Sequence, residues 1–255
     1  MDNSLVTLNL GQWSEQEVAG HKCHLYEPAA GSEHGYTVLY LQGLRSARLK
    51  YQSGIMEIIE QYALRVIEPE CDFSWWVDRI SPRFDPDISG EKFVLDKVLP
   101  FLAESWECTP PRIALLGPSM GGQGALRLAY KYPDTFPIAA AVYPSIDFQK
   151  KIEEGDPNLS AMYRDAEDAR QDTATLHIHP LNWPRHQFFC CDPADVRWHD
   201  SADRLHMKLY SLGVPHEFDL ETTAGGHSWK YFEHMAPRVI QFLAERLESE
   251  RLRVV

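Results

Sequence analysis

Short apolar runs alternate along this chain with longer stretches of helical period, and that rhythm constrains the fold more than any other feature. Thr37-Val-Leu-Tyr-Leu41 reads as a strand, after which Ile55, Ile58, Ile59 and Tyr62 fall at helical spacing. Arg65-Val-Ile67 is a strand that stops at Pro69. Phe93, Val94, Val98, Leu99 and Leu102 form a helical stripe, Arg112 to Leu116 a short buried strand, and Gly121 to Tyr130 a helix ended by Tyr132-Pro133. Ile138 to Val142 and Gln187 to Cys191 read as strands, the helix carrying Leu205, Leu209 and Leu212 ends at Gly213, Glu217 to Leu220 is a strand, and Trp229 to Leu247 is an amphipathic helix. Such an order implies an α/β protein: a mostly parallel sheet flanked by helices on both faces.

No linker or repeat breaks the 255 residues, so a single domain over 1–255 is expected. The polar stretch 149–184 departs from the rhythm and is read as an inserted cap or loop, with a solvated excursion as the alternative. In sheets of this kind the functional groups stand beyond the carboxyl ends of the strands, so the search for chemistry begins there.

Charge excludes some partners. Thirty-seven acidic side chains against 25 Lys and Arg give a formal net charge of −12, the wrong sign for a nucleic-acid binder, and it disfavours anionic membrane surfaces. The longest apolar runs are too short to span a bilayer. The N-terminal residues lack a secretory or transit pattern, and five cysteines form no CxxC pair, so a cytoplasmic protein is expected. Assembly as a homo-oligomer is left open.

Gly117-Pro-Ser119-Met-Gly121 lies between the Arg112–Leu116 strand and the helix that follows. A GxSxG motif alone is weak, but at a strand-to-helix junction it has the form of a nucleophile elbow, where a Cβ at either flanking glycine would clash. A serine hydroxyl needs a base. Among eleven histidines, His227 in Gly225-Gly-His227-Ser-Trp229 follows the last strand and precedes the last helix. A carboxylate to orient that imidazole is expected after the Gln187–Cys191 strand, where Asp192 and Asp195 both satisfy the order serine, acid, histidine.

GPSMGGQGAL, CDPAD and LYSLGVPHEFDLETTAGGHSWKYF together resemble the putative-esterase (esterase D-like) family of the α/β-hydrolases, which includes S-formylglutathione hydrolases, feruloyl esterases and mycolyltransferases. The likeness runs from about residue 20. It implies the α/β-hydrolase fold with a mostly parallel central sheet of about eight strands, favours Asp195 over Asp192 as the acid, and implies an oxyanion hole from the backbone amides of Leu44 and Met120. Gln42 stands where the family often has histidine. The Trp75-Trp76 segment is similar to the aromatic segment near the family's active-site mouth, with ordinary packing as the alternative.

The reading is therefore a serine esterase acting on small-molecule carboxylic esters or thioesters, without cofactor, through Ser119, His227 and Asp195 (Asp192 as the alternative acid). Acyl transfer by the same residues and a non-catalytic binding protein on this scaffold are the alternatives. Trp75, Trp76 and Arg45, with Arg48, are candidate substrate contacts. His177, His179 and His186 invite a metal reading, but they lack the usual companion carboxylates, and no metal site is expected.

Overall fold

A computed structural model describes residues 10–45 and 48–253. Eight strands form one sheet in the order β1-β2-β4-β3-β5-β6-β7-β8: Gln12–Val18 (β1), His21–Glu27 (β2), Thr37–Tyr40 (β3), Arg65–Pro69 (β4), Ile113–Pro118 (β5), Ile138–Val142 (β6), His186–Cys190 (β7) and Glu217–Asp219 (β8). β3 to β8 pair in parallel, while β1 and β2 form an antiparallel flank against β4. The α/β sheet expected from the alternation is present. The antiparallel flank was not expected, because β1 is mostly exposed and its two apolar residues, Trp13 and Val18, are too far apart to make an apolar run.

Period-two alternation divides the strands between two cores. Val38, Tyr40, Ala114 and Leu116 pack with Ile55 and Ile59 of helix α1 (Ser53–Gln61) and with the C-terminal helix on one face. Leu39, Leu41, Ile113 and Leu115 pack on the other with α2 (Gly90–Phe93), a π-helical turn at Val94–Val98 and α3 (Leu99–Trp106). Helix α4 (Met120–Lys131) follows β5 and is buried through Tyr130. Among the described residues no helix is long and apolar enough to cross a membrane.

The 149–184 stretch folds into α5 (Gln149–Glu153), α6 (Pro157–Met162), α7 (Ala166–Arg170) and a 3-10 turn at Ala174–His177. It is not a solvated excursion: Leu159, Met162, Tyr163 and Ala169 are buried in the same core as Trp75 and Phe148. Arg127 of α4 clamps it by bonding Asp172 through Nε (3.1 Å) and Nη2 (2.5 Å) while pairing with Glu91 on its other side. The last two helices are α8 (His199–Ser211) and α9 (Trp229–Leu252).

Glu68, fully buried near the end of β4, carries a pH signature. Burial pushes its carboxyl from 4.5 up to about 8, against the lowering pull of Arg48, the Leu49 amide and Lys50. Between those two values the folded state holds a proton that the unfolded chain has released. Stability from this group is therefore complete below the lower value and is lost as pH rises through the upper one. Glu68→Gln is expected to flatten that slope: its urea midpoint should gain on the wild type from pH ~5 to pH ~8. An equal difference at both pH values would contradict the assignment.

Candidate active site

The chain turns from β3 to β4 on one side and later places β5 on the other, so the sheet has a topological switch point between β3 and β5. A crevice opens there beyond the carboxyl ends of the two strands. Ser119 follows β5 directly with φ 55 and ψ −118, a conformation that a non-glycine residue rarely adopts, and α4 starts at the next residue. β6, the loop after it and α4 hold it. Its N–H donates to the Val142 carbonyl (3.0 Å), and its carbonyl accepts from the Ser145 and Gln123 amides (3.0 and 3.1 Å).

The turn is possible only where backbone meets backbone without a side chain. A Cβ on Gly121 would lie 1.7 Å from the Leu41 carbonyl oxygen, and one on Gly117 would lie 2.4 Å from the Gly121 carbonyl carbon. Gly121→Ala is expected to destabilise the fold by roughly 3–5 kcal/mol or to prevent its accumulation, because neither backbone can withdraw. A urea midpoint within experimental scatter of the wild type would show that the turn can relax.

His227 follows Gly225 and Gly226, whose φ values of 125 and 67 suit glycine. The loop ends at Ser228, which caps α9 by accepting from the Tyr231 amide (3.3 Å). His227 Nδ1 lies 2.6 Å from Asp195 Oδ2, and Nε2 lies 2.9 Å from Ser119 Oγ. With a carboxylate on one side and a hydroxyl on the other, Nδ1–H donates to Asp195 and Nε2 accepts from Ser119. The Tyr143 ring packs on the imidazole with centroids 4.4 Å apart, limiting its rotation.

The two aspartates have different surroundings. Asp195 reaches the imidazole from a buried position. Asp192 instead accepts from the Ala224, Gly225 and Gly226 amides through Oδ2 (2.8, 2.9 and 2.7 Å) and from Ala194 through Oδ1 (2.7 Å). Burial pushes its carboxyl up, but these four amides outweigh it and hold the pKa below the ordinary value. Asp192 thus anchors the loop that presents His227, and nothing brings it to the imidazole.

Leu44 lines a cleft of about 470 Å³ together with Gly43, Ser119, Ser145, Trp198 and His227. Met120 is buried as the first residue of α4, where a backbone N–H has no partner from the preceding turn of its own helix. Both amides belong to segments that border the Ser119 hydroxyl, so a polarised carbonyl oxygen placed there would meet a helix N-terminus.

Trp75 and Trp76 call for a correction as substrate contacts. They are 1% and 0% exposed and are absent from the cleft lining. Trp76 Nε1 donates to the Gln42 carbonyl (3.1 Å), and the Trp75 carbonyl accepts from Gln123 Nε2 (2.9 Å), so the pair braces the loop after β3 against α4. The Gln42 side-chain oxygen, with its amide turned to suit them, accepts from the Cys71 and Asp72 amides (3.1 and 3.0 Å) and ties the same loop down. Arg45 does line the cleft, whereas Arg48 is taken up by Glu70 and His24. His177 bonds Asp172, His179 bonds its own loop, and His186 bonds Glu250; the three do not converge.

Five residues in the cleft were not anticipated: Tyr143, Ser145, Lys151, Arg197 and Trp198. Ser145 Oγ lies 3.1 Å from Ser119 Oγ, a second hydrogen bond that fixes the rotamer of Ser119. Tyr143 and Ser145 directly follow the Ile138–Val142 strand, so the carboxyl-end rule for parallel sheets was a signal that could have found them.

A mostly parallel eight-stranded sheet with a serine at the strand-to-helix turn of its switch point defines the α/β-hydrolase fold. Solved structures agree. The Staphylococcus aureus fluorophosphonate-binding serine hydrolase FphF is 17% identical, covers 92% of this chain and 99% of its own, and superposes with a TM-score of 0.73. An S-formylglutathione hydrolase from Agrobacterium tumefaciens is 17% identical over 92% and 94% (TM-score 0.71), and a ferulic acid esterase is 14% identical over 94% and 100% (TM-score 0.72). A search of curated proteins finds no match. The family model described as "Putative esterase" matches residues 21–242, and the chain belongs to that family. It is an esterase of the serine-hydrolase type.

Proposed function

We propose that the chain cleaves carboxylic ester or thioester bonds of small molecules through a covalent acyl-enzyme on Ser119. The observation that supports this most is the hydrogen-bonded chain from Ser119 Oγ through His227 to Asp195, at 2.9 and 2.6 Å, in a cleft at the switch point. His227 Nε2 takes the hydroxyl proton as Ser119 Oγ attacks the carbonyl carbon. The resulting oxyanion meets the Leu44 and Met120 amides, each such donor stabilising it by roughly 3 kcal/mol. As the tetrahedral intermediate collapses, Nε2–H protonates the departing alcohol or thiol. Water, deprotonated by the same nitrogen, then attacks the acyl carbon, releasing the acid and restoring Ser119. Asp195 stays ionised throughout, holding the imidazole tautomer and stabilising the imidazolium.

Short-chain p-nitrophenyl esters are expected to be turned over to free acid, also when sugar or thiol acceptors are added. Acyl groups recovered on the acceptor would instead establish transfer as the reaction.

A further inference from the structure

The chain carries a net charge of −12, yet three cationic side chains from three separate segments line the cleft beside Ser119. Arg45 comes from the loop after β3, Lys151 from α5 and Arg197 from the turn after β7. The one carboxylate among the lining residues, Asp195, is already bound to His227. The cations are close enough to affect one another. Burial, then Arg197 and Arg45, draw the Lys151 ammonium below its ordinary pKa, while Asp156 and Glu154 oppose them. Gathering like charges at a half-buried mouth is unfavourable in the empty protein, and an anion there relieves the repulsion.

Each has donors to offer. Arg45 is exposed, and among the described residues neither it nor Lys151 has a side-chain ion pair. Arg197 is oriented by Glu154 and lies over the Trp198 ring at 5.2 Å, which presents its guanidinium in a fixed pose. Surface cations of an acidic protein are more commonly spread among carboxylates; here they converge on the cleft that holds the reactive serine.

We propose that Lys151, Arg45 and Arg197 form an anion subsite, selecting esters or thioesters that carry a carboxylate or phosphate close to the bond that is cleaved. The inference rests on Ser119 being the nucleophile, and it assigns the 149–184 insertion a role in choosing substrate. The charge can sit on the acyl side or on the alcohol side of the carbonyl, and two substrate pairs separate these.

The readout is kcat/KM for a charged ester divided by that for its neutral analogue, which cancels general losses of activity. Mono-p-nitrophenyl adipate against p-nitrophenyl hexanoate tests the acyl side. Para-acetoxybenzoate against its methyl ester tests the alcohol side. On at least one pair the ratio is expected to fall about tenfold to a hundredfold in Lys151→Glu and less in Lys151→Gln, as the loss of a charge-assisted contact requires. Arg45→Gln and Arg197→Gln should shift the ratio in the same direction, which guards against a Lys151 variant that folds poorly. In the wild type the ratio should also shrink as salt rises from about 20 mM to about 500 mM. Lys22→Gln, an exposed cation on β2 away from the cleft, serves as the control and should leave it in place. Ratios unmoved by all three cleft substitutions on both pairs overturn the subsite while leaving the Ser119 chemistry intact. Neutral-ester hydrolysis that survives Ser119→Ala would overturn the underlying reading instead.

Discussion

Ser119→Ala is expected to lower kcat for a short-chain p-nitrophenyl ester by roughly ten-thousand-fold to a million-fold, with folding unchanged. The size follows from the chemistry. Without Oγ no acyl-enzyme forms, and only substrate binding and the oxyanion donors are left to assist direct attack by water. Structure should survive because Ser119 is held through its backbone, by bonds to Val142, Ser145 and Gln123 that alanine retains. Alanine tolerates φ 55 no worse than serine does, so the strained turn is not further penalised. A wild-type melting curve with near-abolished turnover is the expected pair of results. Substantial residual turnover, sensitive to a chelator, would point to a different nucleophile.

The second large effect separates two neighbouring carboxylates by what each one loses. Asp195→Asn should lower kcat roughly thousand-fold to ten-thousand-fold, because an amide facing Nδ1 favours the wrong imidazole tautomer and removes the charge that stabilises the imidazolium. Its melting temperature should move little. Asp192→Asn should do the reverse in kind. One oxygen of Asp192 gathers three amides and the other a fourth, and an asparagine amide presents N–H groups to part of that set. Losing charge-assisted bonds at a fully buried site should destabilise by about 3 kcal/mol, which for a chain of this size lowers Tm by roughly 6–12 °C. Activity would fall only as the His227 loop loosens. The pH dependence follows the same logic: the Asp192 carboxyl is held below its ordinary pKa, so its stabilisation is present near neutrality and is lost as pH falls through the folded value. Asp192→Asn should therefore show a flatter acid limb. If instead Asp192→Asn abolishes turnover in a fully folded protein, and Asp195→Asn does not, the two assignments are exchanged.

The parallel half of the fold was legible because buried parallel strands must be apolar on both faces. Val38–Leu41, Ile113–Leu116 and Ile138–Val142 satisfy that over their whole length. β1 was illegible for the opposite reason: as a mostly exposed edge strand, Gln-Trp-Ser-Glu-Gln-Glu-Val buries only its Trp13 and Val18 ends and shows no apolar alternation. Ser119 and His227 could be read from local glycine chemistry and chain order. Which carboxylate meets the imidazole could not, since Asp192 and Asp195 are interchangeable in order, and what distinguishes them is the direction in which each side chain points after β7; the family resemblance favoured Asp195 for a reason outside the residues themselves.

Trp75 and Trp76 show the limit from another side. An aromatic pair after a strand has the same sequence appearance whether it borders a cleft or fills a core, and here the close approach of Trp76 to Gly124 and the hydrogen bond to Gln42 decide for the core. Lys151 was hidden because a lysine in a polar insertion looks solvated until the insertion is seen to pack. The Arg127 clamp and the burial of Leu159 and Tyr163 are long-range contacts that no local pattern announces.

The most direct test of the Ser119 nucleophile is to treat the active protein with a fluorophosphonate and locate the adduct by peptide mass mapping. One phosphonyl group per chain is expected, on the peptide that contains Ser119, with loss of esterase activity in proportion to labelling and no labelling of Ser119→Ala. An adduct on another residue, or full inactivation with Ser119 unmodified, would contradict the account.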